Sequence, residues 1–132
     1  MQKDTKTALV LCGVAVGFLV LFVAVRNGNK PTLATENTSV NIVNGVQIID
    51  LSAKGGFSPP YIEATAGLPT ELRVATNGTY DCSSTLVIPS LNYQKTLEPT
   101  GVETIQLSAS QAQGTLDGTC GMGMYDFEIA FK

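Results

Sequence analysis

The stretch Tyr125-Asp126-Phe127-Glu128-Ile129-Ala130-Phe131-Lys132 contains the clearest secondary-structure signal in the chain. Tyr125, Phe127, Ile129 and Phe131 alternate with mostly polar positions that include Asp126, Glu128 and Lys132. Successive side chains of a β-strand point to opposite faces, so this alternation predicts a strand with one buried and one solvated face. We therefore expect the apolar set to lie in the core of a β-sheet protein.

Shorter segments upstream show related patterns. β-Branched or alternating runs are broken by Gly, Pro and Asn, which predicts strands rather than helices. The predicted strands are Val46 to Leu51, Tyr61 to Thr65, Thr70 to Ala75, Thr85 to Ile88 and Val102 to Leu107. In Thr70 to Ala75, Leu72 and Val74 alternate with Glu71 and Arg73. About seven short strands within residues 46–132 favour an all-β sandwich over an α/β fold.

The N-terminal region carries a long apolar segment. No charged residue occurs from Ala8 to Val25, and a helix of this length spans about 27 Å, close to the thickness of a hydrocarbon core. We predict one N-terminal transmembrane helix at 8–25, preceded by a cytoplasmic tip at residues 1–7. A signal sequence is the alternative, but no clear small-x-small cleavage site follows. Cys12 lies within this segment and is interpreted as a membrane-packing residue.

Residues 26–45 are rich in Asn, Thr and Gly and show no sustained period, so we predict a flexible linker. Residues 46–132 then form the folded domain, which we expect to be extracytoplasmic on a single-pass protein of the cell membrane. This domain has four basic and nine acidic side chains. An acidic surface repels a phosphate backbone, so nucleic-acid binding is not expected.

The sulfur atoms of the domain are concentrated in two short stretches. Cys82 lies in Thr79 to Ser84, and Cys120, Met122 and Met124 lie within five residues before the final strand. Every other sulfur in the chain belongs to Met1 or Cys12. If the final strand extended back to Cys120, all three later sulfurs would face away from the core. The intervening glycines instead predict an irregular loop that can turn them toward one centre.

These residue types indicate a particular metal. Thiolate and thioether are soft ligands, and without imidazole or carboxylate they suit Cu(I) better than Zn(II) or Cu(II). The chain has no histidine, which excludes a blue-copper electron-transfer site and a histidine-bound dinuclear copper site. We predict a Cu(I) site formed by Cys82, Cys120, Met122 and Met124, with two thiolates and one thioether as the expected ligand set.

Several motifs together resemble the cupredoxin-like domains of the plastocyanin and azurin superfamily, and are most similar to the bacterial Cys/Met-type branch. The motifs are Phe57-Ser58-Pro59, Ala66-Gly67-Leu68-Pro69, Cys82-Ser83-Ser84, Leu86-Val87-Ile88-Pro89, Leu97 to Gly101 and Cys120-Gly121-Met122-Gly123-Met124-Tyr125. The resemblance implies a Greek-key β-sandwich of about seven strands. It also places Cys82 at the position of the first histidine ligand and Cys120 at that of the loop cysteine. Met122 and Met124 fall in the region of the remaining ligands.

Other interpretations of these residues stay open. Two cysteines in an exported domain commonly form a disulfide, and the geometry of the family would bring Cys82 near Cys120. The two methionines could instead fill a gap under the loop. Tyr80 and Tyr125 are interpreted as packing residues. No acid/base pair or activated nucleophile is evident, so we do not expect an enzyme.

The expected function is therefore to hold or transfer Cu(I) at the outer face of a membrane. The expected partners are the membrane itself and a copper-handling or other membrane protein. The rival hypothesis is a structural or interaction module, stapled by a Cys82–Cys120 disulfide, that serves as an accessory subunit of a membrane complex.

Overall fold

A computed structural model describes residues 39–132, which form an all-β sandwich of two five-stranded sheets. The strands are β1 (Val40–Val43), β2 (Val46–Ala53), β3 (Phe57–Ser58), β4 (Tyr61–Ala64), β5 (Thr70–Asn77), β6 (Thr85–Ile88), β7 (Tyr93–Thr96), β8 (Thr100–Leu107), β9 (Gly114–Cys120) and β10 (Asp126–Phe131). Within these residues, no helix is long and apolar enough to cross a membrane. The predicted anchor at 8–25 and the cytoplasmic tip lie outside the described residues.

Both sheets are mixed. The first has the order β1-β2-β5-β8, with β3 paired to the end of β2, and the second has the order β4-β10-β9-β6-β7. Strands β2 and β5 are parallel, as are β4 and β10, and the other pairs are antiparallel. The prediction of an all-β sandwich is confirmed. The prediction of about seven strands is wrong, because the described residues contain ten.

The core lies between the sheets and follows the predicted alternation. Phe127, Ile129 and Phe131 of β10 are buried, while Asp126 is exposed. Leu72 and Val74 of β5 are also fully buried. Each side chain removed from water in this way stabilises the fold by about 1.5–3 kcal/mol. The alternation in the sequence therefore identified the faces that meet.

Strand β1 lies inside the segment 26–45 that the sequence analysis assigned to a flexible linker. Val40–Val43 pairs antiparallel with β2 through a turn at Asn44 and Gly45, both of which have positive φ. An Asn-Gly pair is the usual sequence of a two-residue hairpin turn, because both positions tolerate the left-handed region. The ordered domain thus begins before residue 46, and the predicted linker boundary is corrected.

Strand β9 pairs with its neighbour β10 in the same sheet through a position that only glycine fits. Gly118 faces Phe127 in the strand register, and a Cβ atom on Gly118 would lie 2.2 Å from two carbons of the Phe127 ring. The same ring packs edge-on against Phe57 of β3, with ring centroids 5.0 Å apart. Gly118 therefore leaves room for the contact between Phe127 of β10 and Phe57 of β3. It lies two residues before Cys120 in the same strand.

Candidate functional site

The segment that carries Cys82 is fixed by hydrogen bonds on both sides. Thr79 is buried, its N–H donates to the Pro99 carbonyl at 2.9 Å, and its hydroxyl donates to the Ala53 carbonyl. Cys82–Ser84 then forms one turn of 3-10 helix with Asp81 as its N-cap. This arrangement is typical of Asp, whose carboxylate accepts from the free N–H groups of a helical first turn.

Asp81 also ties this segment to the turn that follows β2. Its carboxylate accepts from the Ser83 N–H at 2.8 Å and the Ser83 hydroxyl, and from the Gly55 N–H at 2.8 Å. These bonds favour the ionised form, so the Ser83 hydroxyl, followed by the Gly55 and Ser83 N–H groups, holds the pKa of Asp81 below its usual value. A fixed negative charge therefore stands next to Cys82.

Cys120 is the last residue of β9 and is only 1% exposed. It pairs with Leu86 of β6, and its N–H donates to the Tyr125 carbonyl at 2.9 Å. The loop from Gly121 to Met124 turns back over it. The Gly123 N–H donates to the Cys120 carbonyl at 2.9 Å, and Gly123 has φ +67°, a conformation that favours glycine.

The loop also contacts the Cys120 sulfur directly. The N–H of Met124 donates to Cys120 Sγ at a distance of 3.3 Å. A backbone donor fixed toward a sulfur becomes a stronger partner when that sulfur is a thiolate. The prediction that this stretch is a loop rather than an extension of β10 is correct. Cys120 itself, however, belongs to a core-facing strand position and not to the loop.

Cys82 and Cys120 form a disulfide, with their Cα atoms 5.7 Å apart. The separation lies in the middle of the range that allows such a bridge. It joins the short helix after β5 to the end of β9, and therefore brings the two predicted sulfur stretches to one end of the sandwich. The disulfide that the sequence left open is therefore present in this structure.

The two methionines project from the same end. Met122 and Met124 are 75% and 61% exposed, so their thioethers do not fill a gap in the core, and that alternative is wrong. Tyr80 is 82% exposed and is not a packing residue either. Tyr125 is partly buried against the core, and its ring lies 3.3 Å from where a Cβ of Gly56 would be. We call Cys82, Cys120, Met122 and Met124 the sulfur end of the domain.

Among residues 39–132, no group of three or more His, Cys, Asp or Glu side chains is placed to hold a metal ion. The sulfur end contains two cysteine and two methionine sulfur atoms instead. Asp81 and the Met124 N–H are contacts that the sequence analysis missed. The Asp-Cys-Ser-Ser stretch could have indicated the first, because Asp is a favoured N-cap whose side chain accepts from the backbone N–H two residues later.

The family to which the chain belongs follows from comparison with known proteins. The profile of the family described as cupredoxin-like domain matches residues 15–129, which is most of the chain. The chain belongs to the cupredoxin-like domain family. No curated protein matches its sequence.

Two solved structures share the cupredoxin-like fold. One is the metal-binding domain of the Cu(I)-exporting P-type ATPase of Streptococcus pneumoniae D39, solved with Cu(I), with 20% identity, a TM-score of 0.61, and coverage of 70% of this chain and 92% of that one. The other is a copper-binding protein solved in its apo form in solution, with 20% identity, a TM-score of 0.63, and coverage of 70% and 94%. At this level of identity the likeness establishes the fold, and copper binding belongs to those two proteins.

Proposed function

We propose that this cupredoxin-like domain binds Cu(I) through the sulfur atoms of Cys82, Cys120 and one or both of Met122 and Met124, in order to hold copper or pass it on. One observation carries the proposal. The fold brings Cys82 to Cys120 at the start of the loop that contains the only two methionines of residues 39–132. The copper-binding domains that share the fold support it as well.

The donor set fits Cu(I) chemically once the disulfide is reduced. Two thiolates neutralise and bind the soft ion, and a thioether completes a trigonal site without imidazole. A Met side chain is long and flexible, and both thioethers already lie at the surface. Either one can therefore meet an incoming ion first and hand it to the cysteines, so that copper need not be free in solution.

The proposed setting is the outer face of a membrane. Residues 8–25 form a transmembrane anchor, residues 1–7 remain in the cytoplasm, and the domain stands outside the cell membrane with a copper-handling membrane protein as its partner. The uncharged run Ala8 to Val25 supports this arrangement. The protein has no catalytic role in this proposal, because copper is its cargo.

A second function is favoured by one specific observation, the disulfide itself. Small exported domains use such bridges for stability. In this alternative the bridge is permanent, the exposed methionines contact another protein, and the domain is an accessory subunit of a membrane complex. The two functions make opposite predictions for the reduced protein.

The test is a competition titration of the full chain, purified in detergent and reduced, with Cu(I) and a chelator of known affinity. We expect one Cu(I) per chain with a dissociation constant well below about 1 μM. Binding should be lost in Cys82→Ser and Cys120→Ser. Cys12→Ser is the matched control and should bind normally, since Cys12 lies outside the domain. Binding weaker than about 1 μM that is unchanged in the two domain variants would favour the structural alternative.

A further inference from the structure

The two sulfurs of the disulfide have different surroundings. Cys82 is a partly exposed residue on a one-turn helix, two positions after Tyr80, which is 82% exposed. Cys120 is buried at the end of β9 opposite Leu86, and its sulfur accepts the Met124 N–H.

This difference determines which sulfur an external thiol can reach. In thiol–disulfide exchange the attacking thiolate approaches one sulfur along the S–S axis, on the side opposite the other sulfur, and access decides which is attacked. Cys82 packs against the core but remains partly exposed, whereas Cys120 is part of the core and only 1% exposed. Cys82 is therefore the more accessible of the two cysteines to an external thiol.

Attack on Cys82 makes Cys120 the leaving group, and the Met124 N–H stabilises its thiolate. When the S–S bond breaks, its electron pair stays on Cys120, where burial disfavours the new charge. The Met124 N–H, already directed at Cys120 Sγ at 3.3 Å, stabilises this thiolate as a charge-assisted hydrogen bond. Among residues 39–132, no donor makes a corresponding hydrogen bond to Cys82 Sγ.

We propose that Cys82 is a thiol–disulfide exchange site, at which a dithiol reductase opens the Cys82–Cys120 bridge and so exposes the copper site. The exchange stands on the contacts above, while its consequence for copper rests on the proposed function. One thiolate of the reductase forms a bond to Cys82 Sγ and releases Cys120 as a thiolate. The second thiolate of the reductase then attacks the reductase sulfur that is bonded to Cys82. This forms the disulfide of the reductase and releases Cys82 as a thiolate. The reductase is oxidised by two electrons to its disulfide, and its two thiol protons pass to solvent or to the two cysteines.

The oxidised and reduced forms then have different capacities for copper. A disulfide sulfur is not a thiolate and cannot supply the charge that holds Cu(I), whereas the dithiol form can. Delivery of two electrons at Cys82 would therefore make both thiolates available to Cu(I). The partner class that this requires is a protein dithiol with an accessible active-site thiolate.

The experiment uses the full chain in its disulfide form, carrying Cys12→Ser so that only the two domain cysteines react. The protein is mixed briefly with cysteamine as a monothiol probe, quenched in acid, alkylated and mapped by peptide mass spectrometry. We expect the probe on Cys82 and the alkylating group on Cys120, with at least about tenfold preference, because Cys120 is nearly inaccessible to the probe and its departing thiolate accepts the Met124 N–H. Equal labelling, or a preference for Cys120, would overturn the proposal.

A second measurement separates exchange on the folded domain from exchange after unfolding. Reduction by thioredoxin and its reductase is followed at increasing urea, below the unfolding transition. We expect a rate that is nearly independent of urea, whereas a rate that rises in parallel with the unfolded fraction would overturn the proposal. Cu(I) titration of the product then tests the proposed function independently. Labelling at Cys82 without Cu(I) binding would retain the exchange site and refute the copper function, and the reverse result would refute the exchange site alone.

Discussion

Opening the Cys82–Cys120 disulfide removes a link between residues that are 38 positions apart. In the chain-entropy account, a closed loop of this length stabilises the folded state by about 4 kcal/mol, because the unfolded chain loses freedom when its loop is closed. A domain of this size has a total stability of about 5–15 kcal/mol. We therefore expect reduction to remove about a quarter to four-fifths of the free energy of unfolding, while the sandwich remains folded.

Copper should recover this loss if it binds the reduced pair. A ligand that binds only the folded state adds about 4 kcal/mol when its free concentration is a thousand times its dissociation constant. The disulfide form should gain nothing from Cu(I). We therefore expect the disulfide form and the copper-loaded reduced form to have similar stability. The copper-free reduced form should be less stable than both.

The assay is urea unfolding followed by tyrosine fluorescence. The chain has no tryptophan, and all four tyrosines lie within residues 39–132, so the signal reports on this domain. The oxidised, reduced and copper-loaded forms of Cys12→Ser are compared with Cys82→Ser, which mimics the reduced form and should not respond to copper. Equal unfolding free energies for the oxidised and reduced forms, within about 1 kcal/mol, would refute the loop-closure argument. If Cu(I) stabilised Cys82→Ser as much as the reduced Cys12→Ser chain, the proposed binding of copper to the reduced cysteine pair would be refuted.

Three further predictions follow from the same contacts. Gly118→Ala should destabilise the domain by about 1–3 kcal/mol in urea unfolding, because its Cβ would overlap the Phe127 ring, whereas Gly101→Ala, whose nearest neighbour is 4.0 Å away, should change stability much less. Asp81→Asn should make stability less sensitive to acid: the folded pKa of Asp81 is lowered, so its contribution is present above the unfolded pKa near 3.9 and is lost as pH falls through the folded value. A thermal-melting series from pH 6 down to pH 2 checks this, and an unchanged slope would contradict it. Met122→Leu combined with Met124→Leu should weaken Cu(I) binding at least about tenfold in competition titration yet change stability by less than about 0.5 kcal/mol, since both side chains are exposed; a binding loss matched by a stability loss would contradict a ligand role.

Strands with alternating or β-branched runs could be predicted from the sequence, whereas β1, β3, β7 and β9 could not. In β10 and β5, hydrophobic side chains repeat every second residue and are buried in that pattern. In β9 the inward positions include Gly118, which is identified only when Phe127 is known to lie against it. Strand β7 is almost wholly polar. Its Tyr93 donates to Glu103 across the sandwich at 2.8 Å, a contact that depends on tertiary structure.

The residues of the sulfur end could be predicted from the sequence, but the disulfide between its two cysteines could not. The clustering of Cys82, Cys120, Met122 and Met124 is visible in the sequence, and the absence of histidine limits the chemistry. Whether the two cysteines meet depends on how β5 and β9 are placed, and sequence separation does not determine this. The hydrogen bond from Met124 to Cys120 Sγ is a backbone contact of a tight turn, so no side-chain pattern indicates it.

The most direct measurement of the central claim is X-ray absorption at the copper edge of the reduced full chain loaded with one Cu(I). The account predicts a Cu(I) edge and a first shell of three sulfur atoms, falling to two in Met122→Leu combined with Met124→Leu. A shell that contains nitrogen or oxygen, or one that is the same in Cys82→Ser and Cys120→Ser as in the parent chain, would contradict it.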